Sequence, residues 1–214
     1  MDNEDHTTAL STDEAQQEAQ QALLRLASLD ASERLSGAEA LCSLLSELDL
    51  DASADAGVHL CATLRAGGAV ELLCGLLRGT EQREEEEEAQ PFFSVLRQRA
   101  LFALGNMCSA ETDTAAAETR ALLLRCGGVE PLLECAASTG EGTGEGTGQG
   151  TGQGTGEAEM RTSDGVQTSD GVQTCLLACG ALQHLCREAA WCKALVQRDV
   201  VPLLERLVSR RRRC

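Results

Sequence analysis

Three ten-residue segments of this 214-residue chain lie beneath one another without a gap: LRAGGAVELL (64–73), LRCGGVEPLL (124–133) and LVQRDVVPLL (195–204). A chain that repeats itself is built from units that bury their apolar faces only against neighbouring units, so the repeat constrains the fold more than any single residue does. Each copy reads as the end of one helix, a turn and the start of an apolar second helix. Gly67–Gly68 and Gly127–Gly128 supply the helix stop, because glycine enters the left-handed region without a steric cost. Arg198–Asp199 replaces them in the third copy, where Asp199 is a residue type that caps the next helix. Pro131 and Pro202 fall in the first turn of that helix, where a missing N–H has no intrahelical bond to lose.

A second set aligns as well. ALFALGNMC (100–108) matches ACGALQHLC (178–186) position for position, and GAEALCSLL (37–45) is a weaker copy. The unit is therefore a short helix, a Gly turn, a second helix and a longer third helix. Leu and Ala must fill the core, since the chain has no Tyr or Ile and only three Phe and one Trp. Strong helix formers with few β-branched residues point to an all-α protein.

The junction LRCGGVEPLL together with the third helix RALFALGNMC (99–108) resembles the armadillo repeat, a three-helix solenoid unit, over about residues 32–209. The resemblance implies an armadillo-like right-handed α-α superhelix of about three repeats. Third helices then fall near 32–46, 92–108 and 173–187, first helices near 55–66, 114–126 and 189–198, and second helices near 68–78, 128–137 and 199–209. The domain reading is a disordered tail (1–10), N-terminal capping helices (11–46) opened by the capping-box pattern Ser11-x-x-Glu14, a repeat at 52–108, a second at 113–187, a partial one at 189–209 and a basic tail at 210–214. The chain stops after a second helix, so it is either a shortened repeat or a fragment of a longer array. The units exceed the usual length of about 42 residues because two insertions fall at the same place, between a second and a third helix. One is the acidic run 79–91. The other, 138–173, holds EGTGEGTGQGTGQGTGE and the tandem TSDGVQTSDGVQ. Such tracts have nothing to bury and are expected to be disordered.

Within the third helix at 92–108, Leu96, Ala100, Ala103 or Leu104, and Met107 share one face and form a core stripe, while Arg99, Phe102 and Asn106 share another. In armadillo proteins the second stripe lines a concave groove, and some members carry there a Trp-x-x-x-Asn ladder that holds an extended peptide. Phe102-x-x-x-Asn106 occupies the matching positions. An Asn amide pairs with any peptide backbone as donor and acceptor, and Phe102 offers a wall for a long basic side chain. The equivalent positions are Glu39 and Ser43 in one neighbouring unit and Gly180 and His184 in the other, so one Phe–Asn pair stands without a ladder. Two local readings stay open beside this one: Asn106 as a helix C-cap and Gly105 as a point of close helix packing.

Net charge is −16, with thirteen acids and two Arg in residues 1–60. That balance repels phosphates and speaks against nucleic acid as a partner. It suits solubility or a basic protein segment. The chain opens on the polar MDNEDHTTAL, with no signal-peptide pattern, and no apolar run reaches the roughly 20 residues of a membrane span. Eleven Cys are then expected to be free thiols in a reducing compartment, cytoplasmic or nuclear, packing as small hydrophobes. Cys175, Cys179, Cys186 and Cys192 lie near His184 but show no C-x2-C spacing, so no metal is expected. Catalysis is not expected either, since the three His (His6, His59, His184) accompany no nucleophile pattern and the Gly/Thr tract is no phosphate loop. SRRRRC at 209–214 reads as a solvated helix end, a localisation signal or a ligand for the acidic half. The expected function is a non-enzymatic protein–protein scaffold without cofactors, binding a partner segment through Arg99, Phe102, Asn106, Glu39, Ser43 and His184. The alternatives are a terminal fragment whose binding surface lies elsewhere and an acidic module that recruits basic segments by charge.

Overall fold

A computed structural model describes residues 12–47, 54–78, 90–137, 170–198, 200–202 and 205. The described residues form nine helices and no strands: α1 (Thr12–Leu26), α2 (Ala31–Ser46), α3 (Ala54–Ala66), α4 (Ala69–Arg78), α5 (Gln90–Met107), α6 (Ala116–Arg125), α7 (Val129–Ala137), α8 (Asp170–Leu185) and α9 (Ala189–Gln197). The protein is all-helical over these residues. The expected tails 1–10 and 210–214, the Ser11 capping box, the Asp199 cap and most of both insertions lie outside them.

Local chemistry explains where the helices begin. Asp30 caps α2 by accepting the Glu33 N–H at 3.0 Å, and the Ser32 hydroxyl, which donates to the same carboxylate, holds its pKa below the ordinary value. Helix α5 starts at Gln90 with Pro91 in its first turn, slightly before the expected end of the acidic insertion. Helix α8 starts at Asp170, so the last four residues of the expected 138–173 insertion are helical. A carboxylate in the first turn suits the helix dipole, and the Thr174 hydroxyl donates to the Asp170 carbonyl at 2.8 Å.

The paired glycines do two jobs, exchanged between the copies. Gly68 (φ +79°) and Gly127 (φ +69°) take the left-handed conformation. Their partners sit where a Cβ would collide: at Gly67 it would lie 2.3 Å from Leu23 Cδ1, and at Gly128 2.9 Å from the Leu123 carbonyl oxygen. The turn at Gly67–Gly68 sets α3 and α4 at 66° to one another.

The longer helices stack side by side, α2 on α5 and α5 on α8, while α1 packs on α2 and α3, α4 on α5, α6 and α7, and α7 on α8. One apolar core runs from Ala19 to Val200. The expected stripe Leu96, Ala100, Ala103, Leu104 and Met107 is buried within it. Each buried Leu or Met contributes about 1.5–3 kcal/mol through area removed from water.

A largely buried set of polar contacts joins α3, α6 and α9. Asp113, fully buried, accepts Arg65 Nη1 from α3 and, through its other oxygen, the Ala115 N–H at 2.9 Å. Arg65 Nη1 also donates to the Thr119 hydroxyl of α6 at 3.1 Å. The next residue, Arg120, donates to the Cys108 carbonyl (2.8 Å) and to Glu188 Oε1 (3.2 and 2.8 Å), and the Arg120 carbonyl accepts Trp191 Nε1 of α9 at 2.9 Å. Closer to the surface, Arg78 donates to the Cys126 carbonyl and Arg198 pairs with Glu130 at 2.5 Å.

Two consequences are measurable. Asp113→Ala leaves the largely covered Arg65 with only the exposed Glu118 carboxylate at 3.6 Å and should cost about 3 kcal/mol, read as a lower urea midpoint by the fluorescence of Trp191, the sole tryptophan. Burial pushes the thiols of Cys42 and Cys135 up to about 11 and those of Cys61 and Cys108 up to about 12, from an ordinary 9.0. A raised folded pKa gives stability that is complete below the unfolded value and is lost as pH climbs toward the folded one. Stability should therefore hold up to about pH 9 and fall between 9 and 12 in urea titrations across pH, a loss that Cys61→Ala reduces.

Candidate interaction surface

Because α2, α5 and α8 lie side by side, the outer stripe of each contributes to one face. Glu39 and Ser43 on α2 are exposed, and Arg99, Phe102 and Asn106 on α5 and His184 on α8 are half-buried. Two clefts cross this face. The larger, about 710 Å³, runs from α2 over α5 to α8 and is lined by Glu39, Ser43, Glu47, Gln98, Arg99, Phe102, Gln173 and Leu177. The second, about 290 Å³, lies between α5 and α8 and is lined by Phe102, Gly105, Asn106, Leu176, Leu177, Gly180 and His184, with Glu111 at one end. Phe102 and Leu177 belong to both, so the two clefts meet over these side chains as one trough. All six residues singled out in the sequence line it.

The polar groups of the trough are unevenly satisfied. Arg99 Nε and His184 Nδ1 are buried and have no hydrogen-bond partner among the described residues, an uncommon state for buried polar atoms. Asn106 Nδ2 donates to the Phe102 carbonyl at 3.0 Å, a bond within its own helix. One of its two N–H donors is thus used internally, and this is neither the end cap nor the fully available ladder amide that the sequence left open. The Cys42 thiol donates to the Arg99 carbonyl at 3.4 Å and fastens α2 to α5 beneath the trough. The Gln98 amide reaches the Asp170 carbonyl at 3.3 Å and fastens α5 to α8. Glu39 and Glu47 of α2 border the larger cleft beside Arg99, and Glu111, paired with Arg187 at 3.7 Å, borders the smaller one.

Some contributors escaped the sequence reading. Leu176 and Leu177 look like core residues in an apolar helix, yet Leu176 is 58 % exposed. Gln98 and Gln173 carry no motif. The cysteines divide in a way that spacing did not reveal. Cys175 donates to the Ala136 carbonyl at 3.2 Å and ties α8 to α7, and burial first, then the neighbouring Cys175, pushes Cys179 up to about 11. Cys186 and Cys192 are exposed rather than in the core. Among the described residues no three or more His, Cys, Asp or Glu converge as metal ligands, and no single helix is long and apolar enough to cross a membrane.

Gly105 is not a point of obligatory close packing, since a Cβ there would lie 4.0 Å from Ala181 Cα and Cβ. Gly37 is such a point: its Cβ would lie 2.6 Å from Leu26 N and 2.7 Å from the Ala22 oxygen, where α2 crosses α1. Gly105→Ala should therefore stabilise by about 1 kcal/mol through helix propensity, while Gly37→Ala lowers the melting temperature. Thermal unfolding of the two variants side by side reads both. Searches against protein-family models, curated proteins and solved structures find no match for this chain, so its functional reading rests on the geometry described.

Proposed function

We propose that the chain is an armadillo-like right-handed solenoid whose third helices, α2, α5 and α8, form a concave face that holds a segment of a partner protein. It acts as a non-enzymatic scaffold or adaptor. The observation that carries this reading is the continuous trough in which Phe102 and Leu177 form an apolar middle and Arg99 and His184 keep buried polar atoms without partners. An extended segment satisfies such a site well. Its side chains cover Phe102 and Leu177, and its backbone offers an acceptor to the second N–H of the Asn106 amide. The carboxylates of Glu39 and Glu47 beside the larger cleft favour basic residues in that segment.

Quantitative proximity capture with the wild type and with Phe102→Ala/Asn106→Ala in parallel tests this. A partner that uses the trough should be lost from the double variant alone, with affinity down about thirtyfold if Phe102 is a hot spot of roughly 2 kcal/mol. Circular dichroism must show the two proteins equally helical, and Arg198→Ala, away from the trough, must retain the partner. An unchanged partner list for the double variant removes the trough as the working surface. The net charge of −16 favours a second reading, recruitment of basic segments by charge alone. Binding would then follow the charge of a peptide rather than its sequence and would disappear at about 1 M salt, where the screening length is about 3 Å.

A further inference from the structure

Cys186 directly follows the last residue of α8 and Cys192 lies in the first turn of α9, and both are exposed. The other cysteines among the described residues are buried or half-buried. Three residues, 186–188, turn the chain between the two helices. Glu188 N–H donates to the Leu185 carbonyl at 3.0 Å, and the Cys192 N–H returns to the Glu188 carbonyl at 3.1 Å. This tight turn brings the two cysteines together. The Cys192 thiol donates to the Cys186 carbonyl at 3.1 Å, so its sulfur lies against the backbone of Cys186 itself. Two neighbouring thiols, both reachable from solvent and held by a hydrogen-bonded turn, are the arrangement from which an intramolecular disulfide forms with little chain ordering still to be done.

We propose that Cys186 and Cys192 are a reversible dithiol–disulfide modification site that clamps α9 to the end of α8. The oxidant is a low-molecular-weight disulfide such as oxidised glutathione. A thiolate of the pair attacks one glutathione sulfur, forming a mixed disulfide and releasing one glutathione thiolate. The second cysteine, as thiolate, then displaces the remaining glutathione and closes the protein S–S bond. The protein loses two electrons and two protons, and one oxidised glutathione becomes two reduced ones. Excess thiol reverses both steps. Burial, followed by the Cys192 thiol beside it, raises the pKa of Cys186, so exchange should quicken as pH rises. The closed bond would brace the turn that carries Glu188, and with it the Glu188–Arg120 pair that joins α9 to α6. The same turn carries Arg187, which pairs with Glu111 of the trough lining at 3.7 Å.

The sequence supplies a direct test. Trypsin cuts after Arg187 and Lys193, between and just beyond the two cysteines, and releases EAAWCK (188–193) with Cys192 and the only Trp. The full chain is equilibrated in graded mixtures of reduced and oxidised glutathione, quenched by alkylation, digested and mapped by mass spectrometry. The expected result is EAAWCK linked to the peptide ending at Arg187, with fragmentation placing the bond at Cys186. The linked species should rise and fall along a single two-electron curve. Cys186→Ser and Cys192→Ser should each abolish it, and Cys175→Ser/Cys179→Ser should retain it. Cys192 joined to Cys175 or Cys179, held as a stable mixed disulfide with glutathione, or still reduced in oxidised glutathione alone overturns the proposal.

Discussion

Helix α5 lies between α2 and α8, and the rest of the molecule depends on that contact. Its inner stripe of Leu96, Ala100, Ala103, Leu104 and Met107 is buried in the common core. Small residues there let neighbouring helices approach, so the outer stripes of all three come to lie on one face. The trough is a by-product of this packing. Phe102 stands at its middle because Ala103 and Leu104 beside it in sequence are taken by the core. The hydrogen bonds from Cys42 to the Arg99 carbonyl and from Gln98 to the Asp170 carbonyl hold the same three helices in register along the face.

The second layer of organisation is polar. Apolar stacking is non-directional and would tolerate sliding of one unit past another. The relay from Arg65 through Asp113 to α6, and from Arg120 to Glu188 and Trp191, is directional and buried. Such a relay is costly to leave half-made, so it selects one arrangement of the helices. It runs through α3, α6 and α9 and takes no part in the trough. The Cys186–Cys192 pair sits where this relay reaches its last helix, so a bond there would act on the join between α6 and α9.

Much of the helix pattern could be read in advance, because it depends on neighbours in sequence. The Gly67–Gly68 and Gly127–Gly128 turns, Pro131 in a first turn, and the inner stripe of α5 follow from backbone sterics and a period of 3.6. The six residues that line the trough were recognised from aligned copies of one helix, because equivalent positions in stacked units share a face. What Asn106 does there was not readable. A choice between capping, partner binding and a bond to the Phe102 carbonyl depends on side-chain geometry that pattern alone leaves open.

Sequence alone was enough to establish an all-helical chain, the places where its helices turn and the stripes its longer helices present. These are local matters of propensity, glycine freedom and periodicity. Only the tertiary structure decided that Asp113 would be buried against Arg65, 48 residues away, that Leu176 would be left outside, and that Cys179 would be half-buried while Cys186, just past the end of α8, would meet solvent. Burial and ion pairing depend on which elements arrive beside a residue, and those elements come from distant parts of the chain.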